Sequence, residues 1–396
     1  MSSLPDREAA AVMQTYRRLP VEFVRGSGSF LFDRDGRQYL DCLSGIAVTS
    51  VGHANPRIAA TVSRQMSRLV HVSNLFYTEP QVVLAERLTN LSGLNSVFFS
   101  NDGAGANEAA IKLARRWGQK SRGDDCFEII TLDGSFHGRT LATLAATGQP
   151  AKQATFEPLP VGFTQVPPDD IAAIAAAIHG GTAAVMIETT QGEGGVLPLS
   201  KEYLADLRDL CNQREVLLIV DDVQAGIGRT GEWFSWQSLG FEPDIATVAK
   251  ALANGLPIGA CLAAEPAASA FEYGDHATTF GGGPVVTQAA LATLDEIEEK
   301  GLLENVRGRS EQFVRGLRGI PGVRAARGRG LLIGAVLEEP TSFEVVMASL
   351  AEGLVVNNVR PNVVRFTPSL AISADEVDMA IERLTRAIRT VNRSAD

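Results

Sequence analysis

Residues 217–231 read Leu-Leu-Ile-Val-Asp-Asp-Val-Gln-Ala-Gly-Ile-Gly-Arg-Thr-Gly. Leu217 to Val220 are all large and apolar, with no polar residue between them. That pattern describes a strand covered on both faces, as in a parallel sheet flanked by helices. Two carboxylates, Asp221 and Asp222, stand at the C-terminal end of this strand, where open α/β sheets gather their ligands. Just upstream, 201–213 has helical spacing: Tyr203, Leu204, Leu207, Leu210 and Cys211 share one face behind Ser200, a capping residue type.

The same alternation extends in both directions. From about 55 to 295, strand-like segments at 96–100, 128–132, 183–188, 216–220 and 245–249 are separated by amphipathic stretches such as 104–117. The fold class expected is α/β, with a mostly parallel central sheet in a large domain of residues 51–295. After about 296 the order changes to helix 302–318, strand 331–337, helix 341–352, strands 354–357 and 363–366, and a last helix from about 374. This predicts a smaller α+β domain over 296–396. Residues 1–50 read as a short helix and an antiparallel meander (21–25, 29–33, 38–42) with turns at Gly26-Ser27-Gly28 and Asp35-Gly36, expected to pack with the small domain.

The chain has 396 residues, enough for two cores, and its 45% hydrophobic and 21% charged residues are those of an ordinary globular protein. A net charge of -10 argues against nucleic acid, which needs a basic footprint. Arg307, Arg309, Arg315 and Arg318 read as a solvated helix face. The longest strongly apolar run, 171–178, falls far short of the roughly 20 residues that span a bilayer, and the N-terminus lacks the apolar core of a secretory signal. Cys42, Cys126, Cys211 and Cys261 are far apart with no CxxC, and the five histidines form no ligand cluster, so neither disulfides nor a metal site is expected. A cytoplasmic enzyme is the expectation.

The chemistry is concentrated at strand ends. The segment 244–249 delivers Lys250 into the turn Ala253-Asn254-Gly255-Leu256-Pro257. A lysine buried at a strand end can lose its proton and form an imine, the usual way of holding pyridoxal phosphate. An aspartate at a neighbouring strand end, Asp221, can keep the pyridine nitrogen of that group protonated. A surface lysine after a strand is the plainer alternative. Five other segments weigh against it. In Ser100-Asn101-Asp102-Gly103-Ala104-Gly105-Ala106-Asn107-Glu108 a strand ends, small residues turn, and a helix starts, a candidate phosphate cradle with a plain tight turn as the alternative. A dinucleotide fingerprint fails there because Glu108 stands where Gly or Ala is needed. Phe136 and His137, in Gly134-Ser135-Phe136-His137-Gly138-Arg139-Thr140, could stack on a planar group or simply be buried; Arg139 could take a carboxylate. Glu188 and Glu193 lie in a glycine-rich loop after an apolar strand. Arg365 is a charge inside the apolar stretch 363–368, where a partner such as Glu193 or a ligand carboxylate is expected. A further segment, 276–284, sets the hydroxyls of Thr278 and Thr279 beside a glycine run.

Taken together and in this order, these segments resemble the class III (ornithine/GABA-type) pyridoxal phosphate aminotransferases over nearly the whole chain from about Tyr16. Within that family the softer marks, Gly45-Ile46-Ala47-Val48, Ser73-Asn74-Leu75-Phe76-Tyr77, Ala146-Thr147-Gly148-Gln149-Pro150 and Arg365-Phe366-Thr367-Pro368, are most similar to the acetylornithine branch. The resemblance implies fold type I and pyridoxal 5'-phosphate held by Lys250. It also implies an Asp221 partner for the ring nitrogen, Gln224 on the phenolic oxygen, Phe136 against the ring, and phosphate contacts from Gly103 and Ala104. A homodimer with shared sites is implied, Thr279 arriving from the second subunit. Arg365 would take the α-carboxylate of glutamate, Glu193 would mask it for donors lacking one there, and Arg139 and Tyr16 would line the distal pocket.

The reaction implied moves the terminal amino group of N2-acetyl-L-ornithine to 2-oxoglutarate, a step of arginine synthesis. Ornithine, succinylornithine or 4-aminobutyrate donors, or a catalytically silent binding protein of this fold, are the alternatives. Ile46 replaces the Tyr of ornithine aminotransferases proper, which fits an acetylornithine-type donor better than ornithine, although GABA-type enzymes share an aliphatic residue there. Four positions depart from the family pattern: Asp102 for Ser or Thr, Gly105 for Glu, Asp222 for a second-position Glu, and Gly283 for Asn. Asp102 sets a like charge beside the phosphate, which is expected to weaken binding.

Overall fold

The computed structural model describes residues 3–395. Its centre is a seven-stranded sheet made of β1 (Ser96–Ser100), β2 (Glu128–Leu132), β3 (Phe163–Val166), β4 (Thr182–Ile187), β5 (Leu217–Asp221), β6 (Ile245–Val248) and β7 (Gly259–Ala263), in the order β1-β7-β6-β5-β4-β2-β3. Strands β3, β2, β4, β5 and β6 run parallel; β7 is antiparallel to both of its neighbours. Every residue of β4 and of β5 is buried, as the unbroken apolar runs require. Full burial of a side chain such as Ile219 or Val220 contributes about 1.5–3 kcal/mol each, so this middle of the sheet is its most secure part.

The parallel pairing of β5 and β6 places the two key side chains. Asp221 is in register with Thr247, and Lys250 follows three residues later at the same sheet edge. The strand β7 has a sequence, Gly-Ala-Cys-Leu-Ala, too rich in small residues to announce itself. Its opening glycine is needed for close approach: a Cβ on Gly259 would lie 2.2 Å from the Asp102 carbonyl oxygen.

A second, antiparallel sheet contains Val323–Arg329, Leu332–Leu337, Val363–Phe366 and Asn357–Arg360 in that order. Val363–Phe366 is buried at all four positions, Arg365 included. The N-terminal meander comprises Phe23–Ser27, Phe30–Asp33 and Gln38–Asp41, and Leu354–Val355 joins it in parallel, with Leu354 opposite Leu40. The single strand expected over 354–357 thus divides at Val356 between two sheets. Arg229, from the turn after β5, is fully buried and ties three parts of the chain. It donates to the carbonyls of Leu331 and Pro368 and, at 3.0 Å, to Ser50 Oγ.

Candidate active site

The C-terminal edge of the central sheet opens into a cavity of about 420 Å³. Lys250, Asp221, Gly103, Ala104, Phe136 and Gln224 all line it, drawn together from segments up to 147 positions apart (Gly103 to Lys250). Arg139 stands at the same wall, its guanidinium 5.6 Å from the centre of the Phe136 ring.

The cradle is the start of the helix Gly103–Arg122. Four N–H groups are left open at such a start. Asp102 answers one of them, its side chain accepting from Gly105 at 2.7 Å, while its carbonyl takes the first intrahelical bond, from Ala106 at 3.0 Å. Gly103 and Ala104, on the cavity wall, supply two more. Gly103 is required by contact, since a Cβ there would come 2.6 Å from Val223 Cγ1.

Asp221 is buried and held from three sides. Its Oδ2 accepts from Asn107 Nδ2 at 2.7 Å and from His137 Nδ1 at 2.8 Å, and its Oδ1 accepts from the Val223 amide at 3.1 Å. Asn107 is fixed in turn by Thr247, whose hydroxyl donates to it at 2.6 Å. Neither Asn107 nor Thr247 was legible as a functional position, because each gains meaning only through a partner over 100 residues away. His137 belongs to the segment singled out in the sequence, and the structure gives it this carboxylate partner. Its Nε2 is buried and has no hydrogen-bond partner among the described residues.

Lys250 adopts a left-handed backbone, φ 39°, at a cost of about 1 kcal/mol or more. Burial pushes its ammonium pKa down; Asp221, Glu193 and Glu188 act against that shift and Arg365 adds to it. Glu188, also on the wall, accepts from the amides of Phe136 (2.9 Å) and Gly192 (3.3 Å), so one carboxyl joins the ring-bearing segment to the Glu193 loop. Burial raises Glu188 to about 7.

Arg365 is completely buried behind Gln224, to whose Oε1 it donates at 3.2 Å. Its Nη1 also pairs with Glu193 Oε1 at 2.5 Å, and its Nε donates to Asn357 Oδ1 at 3.2 Å. Nη2 is buried and has no partner among the described residues, so the guanidinium has capacity for one more acceptor. Burial pushes the Glu193 carboxyl up, but Arg365, with Lys250 and Lys152, holds the group below its ordinary value.

Two expected site residues lie elsewhere. Tyr16 is 74% exposed and does not line this cavity; Arg18 lies over its ring at 5.7 Å. Thr279 is exposed and lines a separate surface groove with Ser73 and Asn74. Of the departures noted above, Asp102 is the helix cap, Gly283 caps the helix Pro284–Glu299, and Asp222 is buried with Oδ2 accepting from the Ser235 amide at 3.0 Å. Ile46 is not on the cavity wall, whereas Val48 is. Among the described residues no group of metal-ligating side chains occurs.

The profile of the class-III aminotransferases matches residues 11–388. The chain belongs to that family. It is 50% identical over 375 residues to an acetylornithine aminotransferase of Gloeobacter violaceus, covering 93% of this chain and 94% of that one. The solved N-acetylornithine aminotransferase of Stenotrophomonas maltophilia superposes with a TM-score of 0.85 at 34% identity, covering 99% of this chain and 100% of the other. The ornithine aminotransferase of Toxoplasma gondii, in a structure described as having partial occupancy of PLP at the active site, gives 0.94 at 30% identity over 98% and 94%. As a class-III aminotransferase, the chain offers pyridoxal phosphate a fitting donor set. A lysine whose proton is loosened by burial, a clamped aspartate, an open helix start and an aromatic wall all face one cavity.

Proposed function

We infer that the chain transfers the terminal amino group of N2-acetyl-L-ornithine to 2-oxoglutarate, as a cytoplasmic homodimer serving arginine synthesis. The observation that carries this reading is the convergence of Lys250 and Asp221 on one cavity with the Arg365–Glu193 pair one residue behind it. Bound pyridoxal phosphate supplies an electron sink for the carbon that must lose a proton. Asp221, oriented by His137 and Asn107, keeps negative charge where the ring nitrogen needs a proton. Lys250 would be the covalent anchor and, once released, the base that moves a proton between the two carbons on either side of the transferred nitrogen. Gly103 and Ala104 orient the phosphate, and Phe136 covers the ring.

Two successive substrates must use the same site. With an amine donor that presents no carboxylate near Arg365, Glu193 keeps that buried cation paired. With glutamate or 2-oxoglutarate, the substrate's α-carboxylate takes its place. Arg139 receives the distal carboxylate, and Tyr16 is assigned to the distal pocket on resemblance alone.

The dimer is supported by a cluster of exposed apolar side chains: Leu75 (86%), Phe76 (67%), Tyr77 (98%) and Phe280 (66%). Asn74 joins the two segments that carry them, donating to the carbonyls of Thr278 and Gly281 at 3.1 and 3.0 Å. Thr279 belongs to this surface, which suits a residue that serves a second subunit's phosphate. No helix among the described residues is long and apolar enough to cross a membrane.

The deciding experiment titrates purified, loaded protein with N2-acetyl-L-ornithine, N2-succinyl-L-ornithine, ornithine and 4-aminobutyrate and follows the visible absorbance. Fastest bleaching by the acetylated donor is expected. Fastest bleaching by ornithine or 4-aminobutyrate would reassign the substrate within the family.

A further inference from the structure

Two anions are directed to one helix start. The helix Gly103–Arg122 has 20 residues, and its N-terminus presents roughly half a positive charge to the cavity. That charge is already answered from within the chain, because the Asp102 carboxylate accepts from Gly105 N–H at 2.7 Å. Asp102 lies on the same wall as Gly103 and Ala104.

Its backbone has little room to withdraw. The Asp102 carbonyl accepts from Ser100 Oγ at 2.9 Å and from Ala106 N at 3.0 Å, and β7 passes so close that only Gly259 fits. A Cβ at Gly105 would meet Asp102 Oδ1 at an ordinary contact distance of 3.6 Å, so the carboxylate's place does not depend on that glycine; the tighter neighbour is Ser100 Cβ at 3.1 Å. Independently, His137 lines the same cavity, and its buried Nε2 has no partner among the described residues.

We propose that Asp102 is a resident anion that holds the phosphate cradle in shape before loading and lowers the affinity for the phosphate group. The protein then gives up its cofactor more readily than it would with a neutral cap at this position. This rests on the cofactor reading above for the identity of the phosphate-bearing group, but the cradle itself can be tested without it. A carboxylate and a phosphate a few ångströms apart in a solvated mouth repel enough to shift a dissociation constant by about tenfold. Asn and Ser both cap helices, so D102N and D102S remove the charge and keep the cap.

The test measures binding of pyridoxal phosphate by absorbance titration, and of inorganic phosphate to the unloaded chain by calorimetry, for wild type, D102N and D102S at low and high salt. Both variants are expected to bind both anions about tenfold more tightly at low salt, with the gain shrinking as salt screens the exposed charge. The unloaded variants are expected to melt no higher than wild type. Variants that bind inorganic phosphate and pyridoxal phosphate no more tightly than wild type overturn the proposal. If phosphate binding tightens while none of the three proteins takes up pyridoxal phosphate, the role of Asp102 stands and the cofactor reading falls.

Discussion

The imidazole of His137 donates through Nδ1 to Asp221 Oδ2 at 2.8 Å, inside a site where both side chains are nearly closed to solvent. Asn107 reaches the same oxygen at 2.7 Å, so the carboxylate is aimed by two donors before any ligand arrives. Such aiming separates an aspartate that merely ends a strand from one that can serve a ring nitrogen.

His137→Gln is therefore expected to lower turnover about 10- to 100-fold, the equivalent of the roughly 1.5–3 kcal/mol that a hydrogen bond to a charged group contributes. Steady-state kinetics beside a thermal melt checks this. A melt shifted as severely as the rate, with normal turnover per folded molecule, would assign His137 to packing instead.

Arg365→Lys keeps a charge but loses the planar fork and the free Nη2. The half-reaction with 2-oxoglutarate should weaken by about 100-fold or more in kcat/KM, within the range for truncating a buried charge pair. The half-reaction with the amine donor should change much less. Single-turnover measurements on each half separate the two, and equal losses in both would remove Arg365 from carboxylate recognition.

Asp222 governs a pH-dependence of stability. Burial raises its carboxyl from 3.8 to about 7, and its Oδ1 is buried without a partner among the described residues. Between those values the unfolded chain has released this proton and the folded chain has kept it. The stabilisation it contributes is therefore complete below 3.8 and lost as pH rises toward 7, by at most about 1.4 kcal/mol per pH unit. Asp222→Asn should reduce the fall of stability across that window, leaving the part that the similarly raised Glu188 contributes. Denaturant melts at a series of pH values test it, and an unchanged slope would place the raised group elsewhere.

Arg229→Met leaves two carbonyls and the Ser50 hydroxyl without their shared donor. A loss of about 3 kcal/mol in stability is expected from stranding buried polar groups. Denaturation midpoints measure it; a loss below about 1 kcal/mol would mean that these contacts are replaceable.

Much of this arrangement was readable in the chain because its determinants are local. The uninterrupted run Leu217–Val220 ending in Asp221 declares a covered strand with a polar tip, and the helix Leu302–Arg318 follows its own periodicity to the residue. What escaped was non-local. The strand Gly259–Ala263 is mostly small residues, its opening Gly259 letting Asp102 pass, and Val323–Arg329 carries Ala-Ala-Arg-Gly-Arg, which shows no apolar alternation. Asn107 and Thr247 are ordinary residues until the fold sets one beside Asp221 and beside the other. Asp102 read simply as an unwelcome charge, whereas its place as the cap of the cradle helix required coordinates.

The central claim is that the amine of Lys250 carries the cofactor covalently. Replacing it in Lys250→Ala and recording the visible spectrum after adding pyridoxal phosphate and removing the excess tests this most directly. The account predicts loss of the protein-bound visible band together with loss of all turnover, with folding retained by circular dichroism. A variant that keeps the wild-type band would contradict it.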